Sequence, residues 1–163
     1  MQEFVPSAQS AENVCMTKRR PLASRDLAIR TLVQSALEPY GPGSGTLEVA
    51  WGEDAGMWFV EVTPSQPDAA SLSVAYDGYG AVSVVIGNSW FEMFPVDDGM
   101  LHDLRQIVDA TFAGRLEEVG SDYNGTVRIR VADGTTLTAG AWAPGSSEST
   151  RVRKYEAYRL PCL

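Results

Sequence analysis

The sequence predicts an α+β domain, a mainly antiparallel β-sheet of about 7–9 strands with two amphipathic helices packed on it. Many short segments alternate apolar and polar residues, and glycine-rich turns join them. Two longer segments, at about 24–38 and 98–113, show the apolar spacing of a helix. The chain has 163 residues, 44% of them hydrophobic, which suffices for the core of one domain.

The N-terminal part predicts an arm followed by a helix. Residues 1–23 are small and polar, and they predict a flexible arm ahead of a single α+β domain at 24–163. The sequence leaves open whether Met1 or Met16 is the natural start. Ser24 is the expected N-cap of the first helix, and Pro39 ends it. The buried stripe of this helix is expected to comprise Ile29, Leu32, Val33 and Ala36.

Five strands are predicted between the two helices. Period-2 alternation and intervening Gly-containing turns indicate Leu47–Trp51, Met57–Thr63, Leu72–Asp77, Ala81–Ile86 and Ser89–Phe94. We expect the aromatic residues of the last strand, and Trp51 and Trp58, to lie in the core.

The second helix has the clearest pattern in the chain. Its apolar residues recur at helical spacing, and Gly114 is a natural stop. Either Asp97 or Asp98 is suited to cap its N-terminus. The predicted stripe is Leu101, Leu104, Ile107, Val108, Thr111 and Phe112.

The remaining chain predicts three or four further strands. They begin at Leu116–Val119, continue through the alternating segment around Val127 and the segment Thr135–Trp142, and end with an edge strand at Arg151–Leu160. Successive hairpins favour antiparallel pairing, with the helices on one face.

No catalytic, metal-binding or cofactor-binding motif is present, so we expect no enzyme and no cofactor. His102 is the single histidine, and on the second helix it is expected to point away from the core, with Gln106 and Asp109. Cys15 and Cys162 form no zinc or redox motif, and no glycine run has the context of a phosphate loop. Trp142 is the tryptophan most suited to contact a ligand.

The charge is concentrated in the middle of the chain. The net charge is −8, but residues 31–124 hold fifteen acidic groups and two basic ones, Arg105 and Arg115, a net of −13. Such a segment repels nucleic acid and anionic membranes and attracts a basic protein. We therefore expect a small protein-binding module, in its most concrete form an immunity or inhibitor protein that docks on a basic toxin. The candidate contacts are Glu53, Asp54, Asp97, Asp98, Asp103, Asp109, Glu117, Glu118 and Asp122.

Other interpretations stay open. The acidic bias can serve solubility alone. A cleft lined by Trp and Tyr would indicate a small-molecule-binding domain. Self-pairing of the edge strand within Arg151–Leu160 would indicate a structural or assembly subunit, so both a monomer and a homodimer are considered. Residues 1–20 lack an apolar signal-peptide core and no apolar run is long enough to span a bilayer, which predicts a cytoplasmic location.

Overall fold

The computed structural model describes residues 19–95, 97–121, 124–140 and 151–160. It confirms the predicted α+β fold with mainly antiparallel pairing, and the described residues contain two α-helices and nine strands. The helices are α1 (Ser24–Leu37) and α2 (Asp98–Phe112). The strands are β1 (Gly45–Gly52), β2 (Met57–Pro64), β3 (Leu72–Tyr76), β4 (Val82–Ile86), β5 (Ser89–Met93), β6 (Leu116–Ser121), β7 (Asn124–Arg130), β8 (Thr136–Ala139) and β9 (Arg151–Lys154).

The first five strands form one sheet in chain order, each antiparallel to the next. Because side chains alternate across a strand, one face of this sheet is apolar and buried, with Val60, Val74 and Val84 among its members. α1 packs on this inner face beside β1, β2 and β3, and α2 packs beside α1. Arg105 of α2 joins the two helices by donating to the Ser35 hydroxyl of α1 at 3.0 Å.

The last four strands form a separate sheet in the order β8-β7-β6-β9. α2 stands between β5 and β6 in the chain, and β6 does not pair with β5. It belongs to the second sheet, which packs against α2 through β7. β9 lies at the edge of this sheet, as predicted, but it ends at Lys154 and does not extend to Leu160. After β9 the chain returns to the first half of the molecule, where the Glu156 N–H donates to the Asp68 carbonyl at 2.9 Å.

The start of α1 differs from the prediction. Ser24 is the first helical residue and not the N-cap, which is Ala23. The Asp26 carboxylate, at the third helical position, accepts the N–H of Ala23 at 2.7 Å, which is one half of a capping box; Ala23 has no side-chain acceptor to supply the other half. Asp26 also accepts two hydrogen bonds from Arg20, at 2.5 and 3.0 Å.

Residues 19–23 pack on the first sheet, although the sequence placed them in the arm. Arg20 donates to the Tyr76 carbonyl at 3.0 Å, and the Trp58 indole donates to the Arg20 carbonyl at 2.9 Å. The Arg19 guanidinium lies over the Trp58 ring, 4.1 Å from its centroid. The packed domain therefore begins before Ser24, and the rest of the predicted arm, 1–18, lies outside the described residues.

Both ends of α2 follow from local sequence. Asp97, one of the two candidates, caps the helix by accepting the Met100 N–H at 2.8 Å. At the other end Gly114 adopts a φ of +64°, the Gly114 N–H donates to the Thr111 carbonyl at 3.1 Å, and the Arg115 N–H donates to the Ala110 carbonyl at 2.9 Å. This pair of bonds is a Schellman motif, which ends the helix and turns the chain into β6.

Candidate functional site

The described part of the chain has neither a cluster of metal-binding side chains nor a membrane-spanning helix. It contains no group of three or more His, Cys, Asp or Glu side chains that could hold a metal, and neither described helix has the length and apolarity to cross a bilayer. His102 is exposed and lies 2.6 Å from Gln106, on the outward side of α2 as predicted.

Four of the predicted acidic contacts lie at one end of the first sheet. In an antiparallel sheet in chain order, the β1–β2 turn and the chain leaving β5 lie at the same end. Glu53 and Asp54 are in that turn, and Asp97 and Asp98 are at the start of α2. However, Asp97 is the helix cap, and Asp98 lies 3.7 Å from the Arg25 guanidinium. This end is acidic, but at least two of its four carboxylates, those of Asp97 and Asp98, have intramolecular partners.

The acidic contacts predicted farther along the chain have different settings. Asp109 accepts the Arg105 Nε at 2.9 Å with both oxygens, and Glu117 lies 3.3 Å from the Arg128 guanidinium. Asp103 is exposed on α2. Asp122 lies outside the described residues.

Glu118 is not a surface contact, in contrast to the prediction. Its side chain is buried, and its carboxylate accepts the Asn88 N–H at 2.9 Å, the Ser89 hydroxyl at 2.7 Å and the Tyr155 hydroxyl. Neighbouring residues of a strand face opposite sides, so Glu117 is directed outward and Glu118 inward. Glu118 thus joins the β4–β5 turn of the first sheet to β6 and to the chain after β9, and its role is structural.

Three further acidic residues, Glu48, Glu61 and Glu92, are exposed on the first sheet and are not among the contacts predicted from the sequence. Glu48 of β1 lies directly opposite Glu61 of β2, and the same row continues through Ser73 and Val85 to Trp90. Glu92 lies two residues from Trp90, so it shares the same face. We call this surface, the outer face of the first sheet, the acidic face; it comprises Glu48, Phe59, Glu61, Val85, Trp90 and Glu92.

The acidic face is unusual for a surface that serves only stability. Glu48 and Glu61 are directly paired like charges, which destabilise a sheet. Residues 45–93, which contain all five strands of the sheet, include no Lys or Arg. Trp90 leaves 55% of its surface exposed. Both helices lie on the opposite side of the sheet, so neither helix covers this acidic and aromatic surface.

The prediction that the aromatic residues of β5 lie in the core is wrong for two of the three. Phe91 is buried, whereas Trp90 is 55% exposed and Phe94, just after the strand, is 75% exposed. Alternation provides the reason, because Trp90, Glu92 and Phe94 share one side of the strand and Phe91 lies on the other. The same alternation places Glu48 and Glu61 outside, so it was the signal that could have identified the acidic face.

A second surface has the opposite charge. The outer face of the second sheet contains a cleft of about 660 Å³, which we call the basic cleft. Its walls include the cations Arg115, Arg128, Arg130 and Lys154, together with the carboxylates Glu117 and Glu156. The charged lining is therefore net positive in a chain whose net charge is −8.

Comparison with known proteins adds no assignment, because no family model, no curated protein and no solved structure matches this chain. Three residues considered from the sequence, Cys15, Trp142 and Cys162, lie outside the described residues. The acidic face and the basic cleft are two surfaces of opposite charge that are suited to bind a partner or a ligand.

Proposed function

We propose that the protein is a binding module that docks a basic protein partner on its acidic face. The concrete form is an immunity or inhibitor protein that covers the basic surface of a toxin. The observation that carries this proposal is the open row of Glu48, Glu61 and Trp90 on a sheet without Lys or Arg. Docking requires a rigid scaffold and a complementary field, and it needs no catalytic group.

Charge and aromatic surface have separate roles in this proposal. Glu48, Glu61 and Glu92 attract a cationic partner from a distance and set the orientation of the encounter. Trp90 supplies apolar area at the end of the same row, and tryptophan is enriched among the residues that dominate interface energies. Added salt should therefore slow association, whereas loss of the Trp90 ring should mainly speed dissociation.

The test is capture of partners from the source cell with tagged wild-type and variant proteins, at low and at moderate salt. We expect a basic protein to be held by the wild type at low salt and released by added salt. Glu61→Lys and Trp90→Ala should each reduce its capture at least about tenfold. Asp103→Lys is the matched control, because it makes the same charge change on an exposed residue of α2. Equal loss with Asp103→Lys, or no loss with Glu61→Lys, would contradict docking on the acidic face.

The charges on β9 disfavour the alternative of an assembly subunit, in which this edge strand pairs with the same strand of a second copy. Arg151, Arg153 and Lys154 are three of the four residues of this edge strand. Two copies paired through β9 would bring these cations together, and like charges on an edge strand oppose such pairing. We expect a monomer, with the same mass by size exclusion and light scattering at two protein concentrations.

A further inference from the structure

The basic cleft differs from the rest of the molecule in its charge. Outside it the chain carries a net charge of −10, because the cleft contributes four cations and two carboxylates to a total of −8. All six charged residues lie on or next to the strands of the second sheet or at the end of α2. The fold thus collects positive charge from distant parts of the chain into one concave surface.

Strand register explains how these side chains meet. Glu117 of β6 lies opposite Arg128 on one side and Lys154 on the other. Two residues after Arg128 on β7, Arg130 lies opposite Thr136 of β8. The Arg130 N–H donates to the Arg115 carbonyl at 2.8 Å. Residues two apart in a strand share a face, so Arg128 and Arg130 both face outward, and both are exposed.

The cations of the cleft are only partly neutralised within the protein. Arg128 forms an ion pair with Glu117. Within the described ranges, Arg130 and Lys154 form no ion pair and no side-chain hydrogen bond. The Nε of Arg115 is buried and has no hydrogen-bond partner there.

The walls leave room for a ligand of moderate size. Ala113, Gly114 and Ala157 line the cleft with little or no side chain, and the volume of about 660 Å³ is within the range of small-molecule sites. A long polyanion would meet the repulsion of the surrounding −10 charge, whereas a small ligand lies within the cleft.

We propose that the basic cleft binds a small organic ligand through an oxyanion group, a phosphate or a carboxylate. Arginine presents a planar fork of N–H donors that matches either group, and Lys154 adds a compact charge. The Thr136 hydroxyl, on the wall of the cleft, is a further neutral donor. This site does not depend on the docking of a partner to the acidic face.

The experiment uses pyrophosphate and citrate as probes, at constant ionic strength maintained with sodium chloride. Calorimetry gives the affinity, and amide chemical shifts locate the site. We expect saturable binding of at least one probe, with the largest shifts in residues 113–117, 128–130 and 154–157. Arg130→Gln and Lys154→Gln should each weaken binding about tenfold, because each removes charge-assisted hydrogen bonds. Arg30→Gln, the same change on an exposed residue of α1, should leave the affinity unchanged.

The two probes distinguish the two sources of the oxyanion. Tighter binding of pyrophosphate would assign a phosphate ligand, and tighter binding of citrate a carboxylate ligand. Absence of saturable binding by either probe would overturn the proposal. Equal weakening by Arg30→Gln would also overturn it, since that result indicates general screening of charge. Arg130 and Lys154 are both exposed, so at least one of the two variants is expected to fold normally.

Discussion

At the residue scale, the buried carboxylate of Glu118 links the two sheets. Its carboxylate receives three hydrogen bonds, from Asn88, Ser89 and Tyr155. A buried charge is tolerated only when it is hydrogen-bonded in this way. The turn beside it is closely packed, because a Cβ added to Gly87 would lie 2.9 Å from a Glu118 oxygen. Glycine at this position lets the turn approach the carboxylate.

The tyrosines near this junction predict a loss of stability at alkaline pH. Burial and, for Tyr155, the hydrogen bond to Glu118 raise the pKa of Tyr155 and of Tyr158 well above the ordinary value. In the unfolded chain both ionise near pH 10, so above that pH the unfolded state holds fewer protons than the folded state. The free energy of unfolding should then fall by about 1.4 kcal/mol per pH unit for each tyrosine. Below pH 10 this contribution is fully present.

Tyr155→Phe isolates one of these tyrosines. The variant should lose about 1.5–3 kcal/mol at pH 7, because a hydrogen bond to a charged group is removed. Between pH 10 and 11 its free energy of unfolding, measured by denaturant titration, should fall less steeply than that of the wild type. Tyr79→Phe is the control, since Tyr79 is 95% exposed. An unchanged slope in Tyr155→Phe would mean that Tyr155 ionises alike in both states.

For individual residues, the sequence predicts the side of the helix or strand on which a side chain lies better than it predicts its burial. The outward position of His102 and the core position of Phe91 are both confirmed. The predictions for Glu118 and Trp90 are wrong: hydrophobicity favours an exposed Glu and a buried Trp, whereas alternation along the strand places Glu118 inside and Trp90 outside. The partners of Glu118 could not be found from sequence, since they lie 29 to 37 residues away along the chain.

At the scale of the element, local signals were sufficient for both helices and for the order of the strands. The α2 prediction of 98–113 differs by one residue from the observed Asp98–Phe112, since an Asp cap and a terminal Gly mark its two ends. The helix begins at residue 24, within the predicted bounds, but the predicted cap Ser24 is wrong, since the N-cap is Ala23 and its N–H donates to Asp26. Propensity identifies which residue types can cap a helix, whereas tertiary partners such as Arg20 decide which side chain forms the hydrogen bond at the helix start.

The end of α2 predicts different stability losses for alanine substitutions at two glycines, Gly114 and Gly56. Gly114→Ala faces two penalties, a left-handed φ of +64° and a new Cβ only 2.6 Å from the Glu156 carbonyl carbon. Gly56→Ala is the matched control, because Gly56 has the same φ of +64° and nothing within 4 Å of an added Cβ. We expect about 1 kcal/mol of destabilisation at Gly56 and about 3 kcal/mol or more at Gly114, measured by denaturant unfolding. Equal losses would show that the backbone around Glu156 moves aside.

At the scale of the whole molecule, the sequence identified the strands but not their division into two sheets. Hairpin signals determine which neighbours pair, but α2 separates β5 from β6, and no local signal indicates whether a later strand rejoins the first sheet. The charge layout was predicted in the same limited way. The acidic middle of the chain and its basic C-terminal part were visible, but the pairing of Glu48 with Glu61, and of Glu117 with Arg128 and Lys154, depends on register.

The two sheets share one core, which predicts that they unfold together. Val60 and Val84 of the first sheet belong to the same buried cluster as Val127 and Ile129 of the second. Tyr158, which follows β9, donates to the Ala70 carbonyl at 2.6 Å. Tyr158→Phe removes this bond, so hydrogen exchange should show the same loss of about 1 kcal/mol in β3 and in β7. A loss confined to the second sheet would instead indicate two independent folding units, each stable without the other.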